Sequence, residues 1–518
     1  MKKLSFIISL LLIFSLLLSS CNIPTAPPTQ GGNSSVGGSM GGTNSDSKPT
    51  CPEHTDADED ELCDLCGESI FFVFNLFAFN DLHGVFKDTD TDDGVARLST
   101  YLKSAGENSI ILSSGDCWQG SSESNLTSGL IITEWMNEIG VASMTLGNHE
   151  FDWGEEKIAE NAALAKFPLL AINVYDKDTN ARVSYAKPST MVDLGEIQVG
   201  IIGAIGDCYS SISGEVNSGF YFKTGKDLTS LVKDEANRLR AEGADFIVYS
   251  LHDGHDKSSA SAGYINDSDL SLYYDIELSN GCVDLVFEGH THKNYIYKDT
   301  AGVLHVQGGG YNDALSKVEV SVNRITGKMK PYATTVYSSM FKKLTPDPIV
   351  DELLLKYADQ IAKADELLCV LPSRLSSGVI CQLVADLYVK AGEEQWGEEY
   401  DMVLGGGFLK VRNPYNLSAG EVRYRDLQAI LPFDNEIVLC SISGAKLLSQ
   451  FINTTNSDYF ISMSAYGKSI SIDPNATYYI VVDTYTSTYR YNGLTEVARY
   501  QLGVYARDLL AEYLKENY

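Results

Sequence analysis

From residue 71 onward the sequence alternates short apolar runs with longer amphipathic stretches, and this alternation limits the possible folds more than any other feature. The runs at 71–79, 109–112, 169–174, 199–205, 246–250 and 283–287 are β-rich, and each closes on a polar or Gly-containing turn. Between them, 94–104 and 228–241 have apolar residues at helical spacing. Strands interleaved with helices predict a layered α/β domain, here over residues 70–335. A helical stretch at 348–368, within a linking segment 336–368, leads to a second, smaller α/β region at 369–518.

The N-terminus has a different physical character. Met1-Lys2-Lys3 precedes an apolar run that ends at Leu18-Ser19-Ser20-Cys21. A basic start followed by a short apolar stretch reads as a secretory signal over residues 1–20, too short for a comfortable membrane span. Its end resembles a bacterial lipobox, which implies that Cys21 is lipidated and the remainder extracytoplasmic, tethered to the membrane by lipid alone. Residues 21–50 are Pro, Thr, Gly, Ser and Asn with little to bury, a flexible stalk. A small module follows at 51–68. Cys51, His54, Cys63 and Cys66 form two close pairs, the usual ligand set of a closed zinc site. A disulfide, an oxygen-rich metal site and no metal remain alternatives, because Asp56, Asp58 and Asp60 alternate between the pairs. An EF-hand is excluded: Glu61 and Gly67 occupy the positions of its turn Gly and bidentate Glu.

Lys and Arg total 39 against 69 Asp and Glu, a net charge of −30. Such an excess repels phosphate backbones and anionic bilayers, so a nucleic-acid polymer is excluded as a partner of any basic face. Ten cysteines in 518 residues are too few for a disulfide scaffold. A small-molecule partner and a monomer are expected.

Chemistry-bearing residues collect in five segments: Asn80-Asp81-Leu82-His83-Gly84, Ser114-Gly115-Asp116, Leu146-Gly147-Asn148-His149-Glu150-Phe151-Asp152, Leu251-His252-Asp253-Gly254-His255 and Glu288-Gly289-His290-Thr291-His292. All but the third directly follow a predicted strand, where α/β sheets place their ligands. The chain has eight histidines, and six of them lie in these segments. Clusters of His, Asp and Asn at Gly-bearing strand ends are what metal sites require. Asp81 and His83 can reach one cation, His290 and His292 repeat that spacing, and Asp116 can bridge two cations about 3.5–4 Å apart. Mixed nitrogen and oxygen donors suit Zn, Mn or Fe rather than Mg or a thiolate centre.

The order Asp-x-His, Gly-Asp, Gly-Asn-His-Glu, a lone His, then Gly-His-x-His resembles the calcineurin-like metallophosphoesterases. The strings Asn80-Asp81-Leu82-His83-Gly84 and Gly147 to Gly154 resemble the bacterial 5′-nucleotidase branch, which includes UDP-sugar hydrolases and 2′,3′-cyclic-nucleotide phosphodiesterases. The resemblance implies a four-layer αββα sandwich followed by a substrate-binding domain. It implies one metal held by Asp81, His83, Asp116 and His292, and a second held by Asp116, Asn148, His252 and His290. It makes His149 the catalytic histidine and Asp152 the acid that orients it, with a helix cap as the alternative for Asp152. A water between two dications is acidic enough to attack phosphorus near neutral pH. Glu150 and His305 read as structural, and His255 as a surface residue or an outer partner of the site.

In the C-terminal region, Gly405-Gly406-Gly407 and Leu431-Pro432-Phe433-Asp434-Asn435 match the branch's Gly-rich loop and Pro-Phe-x-Asn string. The match implies Phe433 for base stacking, Asn435 for hydrogen bonding and Arg374 for phosphate. Two departures stand out. Leu409 sits where the branch has Arg, leaving Arg412 as the replacement, and the late Gly-Gly-Asp turn is absent near Tyr485, the candidate second wall for a base. Within the same superfamily a thiosulfate-ester hydrolase is the enzymatic alternative. A catalytically retired surface binding protein is the other, although every expected metal-ligand position is filled.

Overall fold

In the computed structural model, residues 51, 53–88, 93–212, 218–254, 282–299, 301–408, 416–453 and 459–518 are described. Cys21 and the lipobox, the stalk, His255 and Arg412 lie outside them. The strand Phe71–Phe79 shows why the apolar runs are continuous rather than alternating. Phe72, Phe74, Leu76 and Ala78 point into a core between two sheets, while Phe77 and Phe79 join a second core against helices. A strand buried on both faces has no polar side to display.

The first sheet runs Met329–Tyr337, Ala314–Asn323, Phe71–Phe79, Ser109–Ser113, Val141–Thr145 and Leu169–Leu170 in spatial order. The last four are mutually parallel. The second sheet runs Asn294–Lys298, Leu304–Gly308, Leu285–Glu288, Phe246–His252, Gln198–Ile205 and Ser189–Asp193, with its four central strands parallel. The two sheets face each other through Phe74, Leu76, Phe246, Val248, Phe287 and Val320. The helix Gly225–Ala241 covers the outside of the second sheet with Leu228, Val232, Ala236 and Leu239. Helix Leu130–Ile139 covers the first with Ile131, Ile132, Trp135 and Met136. This is the four-layer αββα sandwich.

A third sheet, Tyr459–Met463, Met402–Phe408, Thr477–Asp483, Ile437–Ser443 and Thr495–Arg499, has its own cores on its two faces. Helices Ser377–Trp396 and Ala506–Asn517 pack in the first of these cores. The sandwich and the third sheet together belong to one compact unit, residues 53–518.

Three local expectations differ from the structure. The run 169–174 splits into Leu169–Leu170 and Val174–Asp176 because buried Asn173 replaces the ladder, donating to Ile205 O at 2.8 Å and Lys223 O at 3.1 Å. The linking helix is a broken series, Ile349–Lys356, Ala358–Ile361 and Ala362–Asp365, and Leu367–Leu371 is a strand. Pairing with Gly420–Arg423 outweighs helical propensity there. Finally, the strand Val141–Thr145 precedes the third cluster; its Ala, Ser and Thr hide it in the sequence. No disulfide forms among the described cysteines, and no described helix is long and apolar enough to cross a membrane.

Candidate active site

Parallel strands put their carboxyl ends on one edge, and five chain segments meet there. Asp81 and His83 follow Phe71–Phe79, Asp116 follows Ser109–Ser113, and Asn148 follows Val141–Thr145. His252 ends Phe246–His252, and His290 and His292 follow Leu285–Glu288. The backbone there is strained. Asp81, His83, Asp116, His290 and His292 have φ of 49°, 48°, 54°, 70° and 54°, a region that costs a non-glycine residue ~1–3 kcal/mol. Hydrogen bonds hold these turns. Asp81 N donates to Gly115 O at 2.9 Å, His83 N to Asp116 O at 3.0 Å, and His290 N to both Asp81 carboxylate oxygens at 3.0 and 2.9 Å. Gly147 is required by close approach: a Cβ there would lie 2.3 Å from Asp116 Oδ1.

The side chains form two touching groups. His83 Nε2 lies 3.0 Å from His292 Nε2, which is 3.4 Å from Asp81 Oδ1. His252 Nε2 lies 3.2 Å from Asp116 Oδ2. Asn148 Oδ1 is 3.3 Å from His252 Nε2 and 3.0 Å from His290 Nδ1. Ligand atoms of Asp81, Asp116 and His252 lie within 4.8 Å of one another, so Asp81 and Asp116 link the two groups. Asp81 and Asp116 are buried and face histidines rather than Lys or Arg. Burial works to raise the Asp116 carboxyl, but His252, His149 and His83 outweigh it and hold it well below its ordinary range. Burial likewise opposes a charged His252, yet Asp116 pushes that imidazole up to about 10. The clustered carboxylate, amide and imidazole groups offer mixed nitrogen and oxygen donors that fit divalent metals.

Glu150, read as structural from the sequence, organises the rim. Its buried carboxylate accepts N–H bonds from Gly147, Asp116, Cys117 and Trp118 at 2.6, 2.9, 2.8 and 3.2 Å. Burial first, then the Asp116 charge, pushes it up to about 7. His149 Nδ1 lies 2.8 Å from Asp152 Oδ2. The helix Gly154–Leu164 begins after Trp153, so Asp152 faces His149 rather than capping that helix. The His149 ring is 5.2 Å from His83 and stacks on Phe433 at 5.6 Å and 26°.

Phe433 therefore reaches the rim from the third-sheet side, and residues missed by sequence reasoning put it there. Pro432 O accepts from Gln119 Nε2 and Asn125 Nδ2, each at 3.2 Å. Buried Arg507 donates to Leu431 O at 3.3 Å and Phe433 O at 3.1 Å and pairs with Asp434. Asp434 Oδ2 also accepts from Trp153 Nε1 at 3.3 Å. Asn435 and Tyr485 are half-buried, and Thr484 N donates to Glu436 O at 2.9 Å, which sets Tyr485 beside the Phe433–Asn435 loop. Arg374 is exposed and donates to Asn416 Oδ1 at 2.9 Å. Two further residues support Asp81 and His83: Asn80 donates to Asp81 Oδ2 at 2.6 Å, and the Tyr311 ring stacks on His83 at 5.2 Å. Asn80 was legible as the head of its motif; Tyr311 and Arg507 had no sequence signal.

In the small module, ligand atoms of His54, Cys63 and Cys66 lie within 4.8 Å of one another. Burial acts to raise the Cys63 thiol, but hydrogen bonds from the Thr55, Leu65 and Cys66 backbones outweigh it and bring the thiol to about 6.

The calcineurin-like phosphoesterase family matches residues 74–294. The chain is 24% identical to the protein UshA of Yersinia enterocolitica, covering 77% of this chain and 82% of that one. It is 23% identical to a 5′-nucleotidase of Diplobatis ommata, over 74% of this chain and 71% of that one. The crystal structure of a 5′-nucleotidase precursor from Thermus thermophilus superposes with a TM-score of 0.61 at 20% identity, covering 86% of this chain and 96% of that one. The chain therefore carries a calcineurin-like phosphoesterase domain at residues 74–294 and is similar over most of its length to UshA proteins and 5′-nucleotidases.

Proposed function

We propose that this chain releases phosphate from nucleotides or closely related phosphate esters. The convergence of Asp81, His83, Asp116, Asn148, His252, His290 and His292 on one buried rim supports this reading above all else. Asp81, His83, Asp116 and His292 would hold one divalent cation, and Asp116, Asn148, His252 and His290 the other, drawn from Zn, Mn or Fe. The pair supplies charge neutralisation at phosphorus and activation of water. The chain's own residues supply the rest. His149, with Nδ1 fixed by Asp152, presents Nε2 to the ester and gives its proton to the leaving oxygen. Glu150 holds the Asp116 turn through three backbone bonds and ties it to Gly147 through a fourth.

The sandwich and the third-sheet region act as two domains, the second contributing Phe433 and Tyr485 to hold a base, Asn435 to bond it, and Arg374 or Arg412 to meet phosphate. Two of the relatives' names, 5′-nucleotidase and apyrase, favour nucleotides over other esters. The protein would work outside the cytoplasm as a monomer anchored by lipid at Cys21, with Cys51 as the fourth ligand of a structural zinc beside His54, Cys63 and Cys66. Purified protein reloaded with Mn or Zn should release phosphate from a panel of nucleoside monophosphates, cyclic nucleotides and UDP-sugars. Full metal loading with no turnover on the whole panel would overturn the proposal.

A further inference from the structure

One thiol at the rim has no counterpart in the seven-residue ligand set. Cys208 lies in the short turn Asp207–Ser211, directly after the parallel strand Gln198–Ile205, and so at the same carboxyl edge as the other clusters. It is buried, and its Sγ and one ring nitrogen each of His252 and His290 lie within 4.8 Å of one another. These two histidines are the imidazole ligands of the second metal in the proposed function.

The turn is built to bring the thiol close. Gly206 N and Cys208 Sγ both donate to His252 O at 3.0 Å, and Asp207 N donates to Asp253 Oδ2 at 3.1 Å. A Cβ on Gly206 would lie 2.3–2.6 Å from the Asp253 side chain, so only glycine lets the turn sit this tightly on the strand end that carries His252. Asp253 is itself anchored at the rim, since its carbonyl accepts from Gly289 N at 3.0 Å, next to His290.

We propose that Cys208 is a thiolate ligand reserved for the second metal position, making that half of the centre prefer zinc or cobalt over manganese. This rests on the dimetal reading above. A soft sulfur donor favours zinc over harder cations, which carboxylate and amide oxygens do not distinguish as strongly. On binding, the Sγ–H bond breaks, a metal–sulfur bond forms, and the proton leaves to buffer. In the metal-free chain that hydrogen rests on His252 O, so the ligand is stored as a neutral buried thiol.

The test loads the full chain, its Cys208→Ser and Cys208→Ala variants and Asp116→Asn with Co2+ and records absorption spectra and metal content. Subtracting a variant from the wild type cancels the thiolates of the Cys63 and Cys66 module. The expected result is a near-ultraviolet sulfur-to-cobalt band in the difference spectrum. Competition between Zn2+ and Mn2+ should also show a zinc preference reduced roughly 10–100-fold in both variants. Either folded variant suffices for the reading. Unchanged spectra and unchanged zinc preference, with cobalt content still falling in Asp116→Asn, would overturn the role of Cys208 alone. Cobalt content insensitive to Asp116→Asn would instead overturn the dimetal centre itself.

Discussion

The histidine- and aspartate-rich rim and the Phe433 loop sit against each other, yet they are made in opposite ways. At the rim each ligand lies in a short string that also contains its own turn glycine, and the strain of five left-handed residues is held by backbone bonds between those strings. The Phe433 loop has little of its own. Its position depends on Arg507 from the last helix and on Gln119, Asn125 and Trp153 from the sandwich. The rim is locally encoded, whereas the position of the Phe433 loop is delegated to long-range contacts. Local encoding resists drift of the surrounding chain, and delegated positioning allows a loop to be re-aimed by changing its supports.

Substitutions can break this comparison, and the largest effect belongs to the rim. His149→Ala should lower kcat by about 10²–10⁴-fold while metal content, measured by mass spectrometry, stays at the wild-type level; a parallel loss of metal would mean that His149 is a ligand. Arg507→Leu should come next. It removes a buried cation from half-buried Asp434 and its bonds to the Leu431 and Phe433 carbonyls, and should destabilise the third-sheet region by roughly 1–3 kcal/mol in urea denaturation. Metal binding at the rim should be unchanged, and a coupled loss there would show that the two regions are not separately supported.

Phe433→Leu sharpens the comparison further. A stacking platform for a base is worth ~1–3 kcal/mol, so KM for nucleotides should rise while hydrolysis of a base-free phosphate ester is unaffected. Equal losses on both substrates would show that Phe433 serves His149, on which it stacks, rather than a base.

The smallest effect concerns a buried histidine of the second sheet, below the rim. His305 is buried with Nδ1 2.8 Å from Glu288 and Nε2 3.7 Å from Asp299. Burial opposes its charge, but Glu288 leads the groups that outweigh it and raise its pKa. A raised folded-state value stabilises the fold fully below the unfolded value of about 6.5. That contribution is lost as pH rises through the folded value. Metal-free protein should therefore lose part of its thermal stability above about pH 6.5, and His305→Gln should flatten that dependence. A profile unchanged in the variant would mean that the imidazole is neutral in the fold.

Much of the rim was legible because four of its five clusters end a strand whose apolar run announces it, and two of them carry paired donors. Asp81 with His83 and His290 with His292 illustrate this. Val141–Thr145 was not legible, since its Ala, Ser and Thr residues gain their strand state only from flanking neighbours in the sheet. The linking segment was misread for a related reason: Leu367–Leu371 has helical spacing but is claimed by a distant partner, Gly420–Arg423. Cys208 was visible only as a cysteine, with no motif to connect it to His252.

Sequence alone determined the layered α/β class, the five clusters and which His, Asp and Asn side chains they carry, because periodicity and donor chemistry are properties of neighbouring residues. Tertiary structure alone decided that Arg507 would aim Phe433 at His149, that Glu150 would clamp the Asp116 turn, and that Cys208 would arrive beside two histidines. Those contacts join residues far apart in the chain, and their energies arise only when burial removes water from between them.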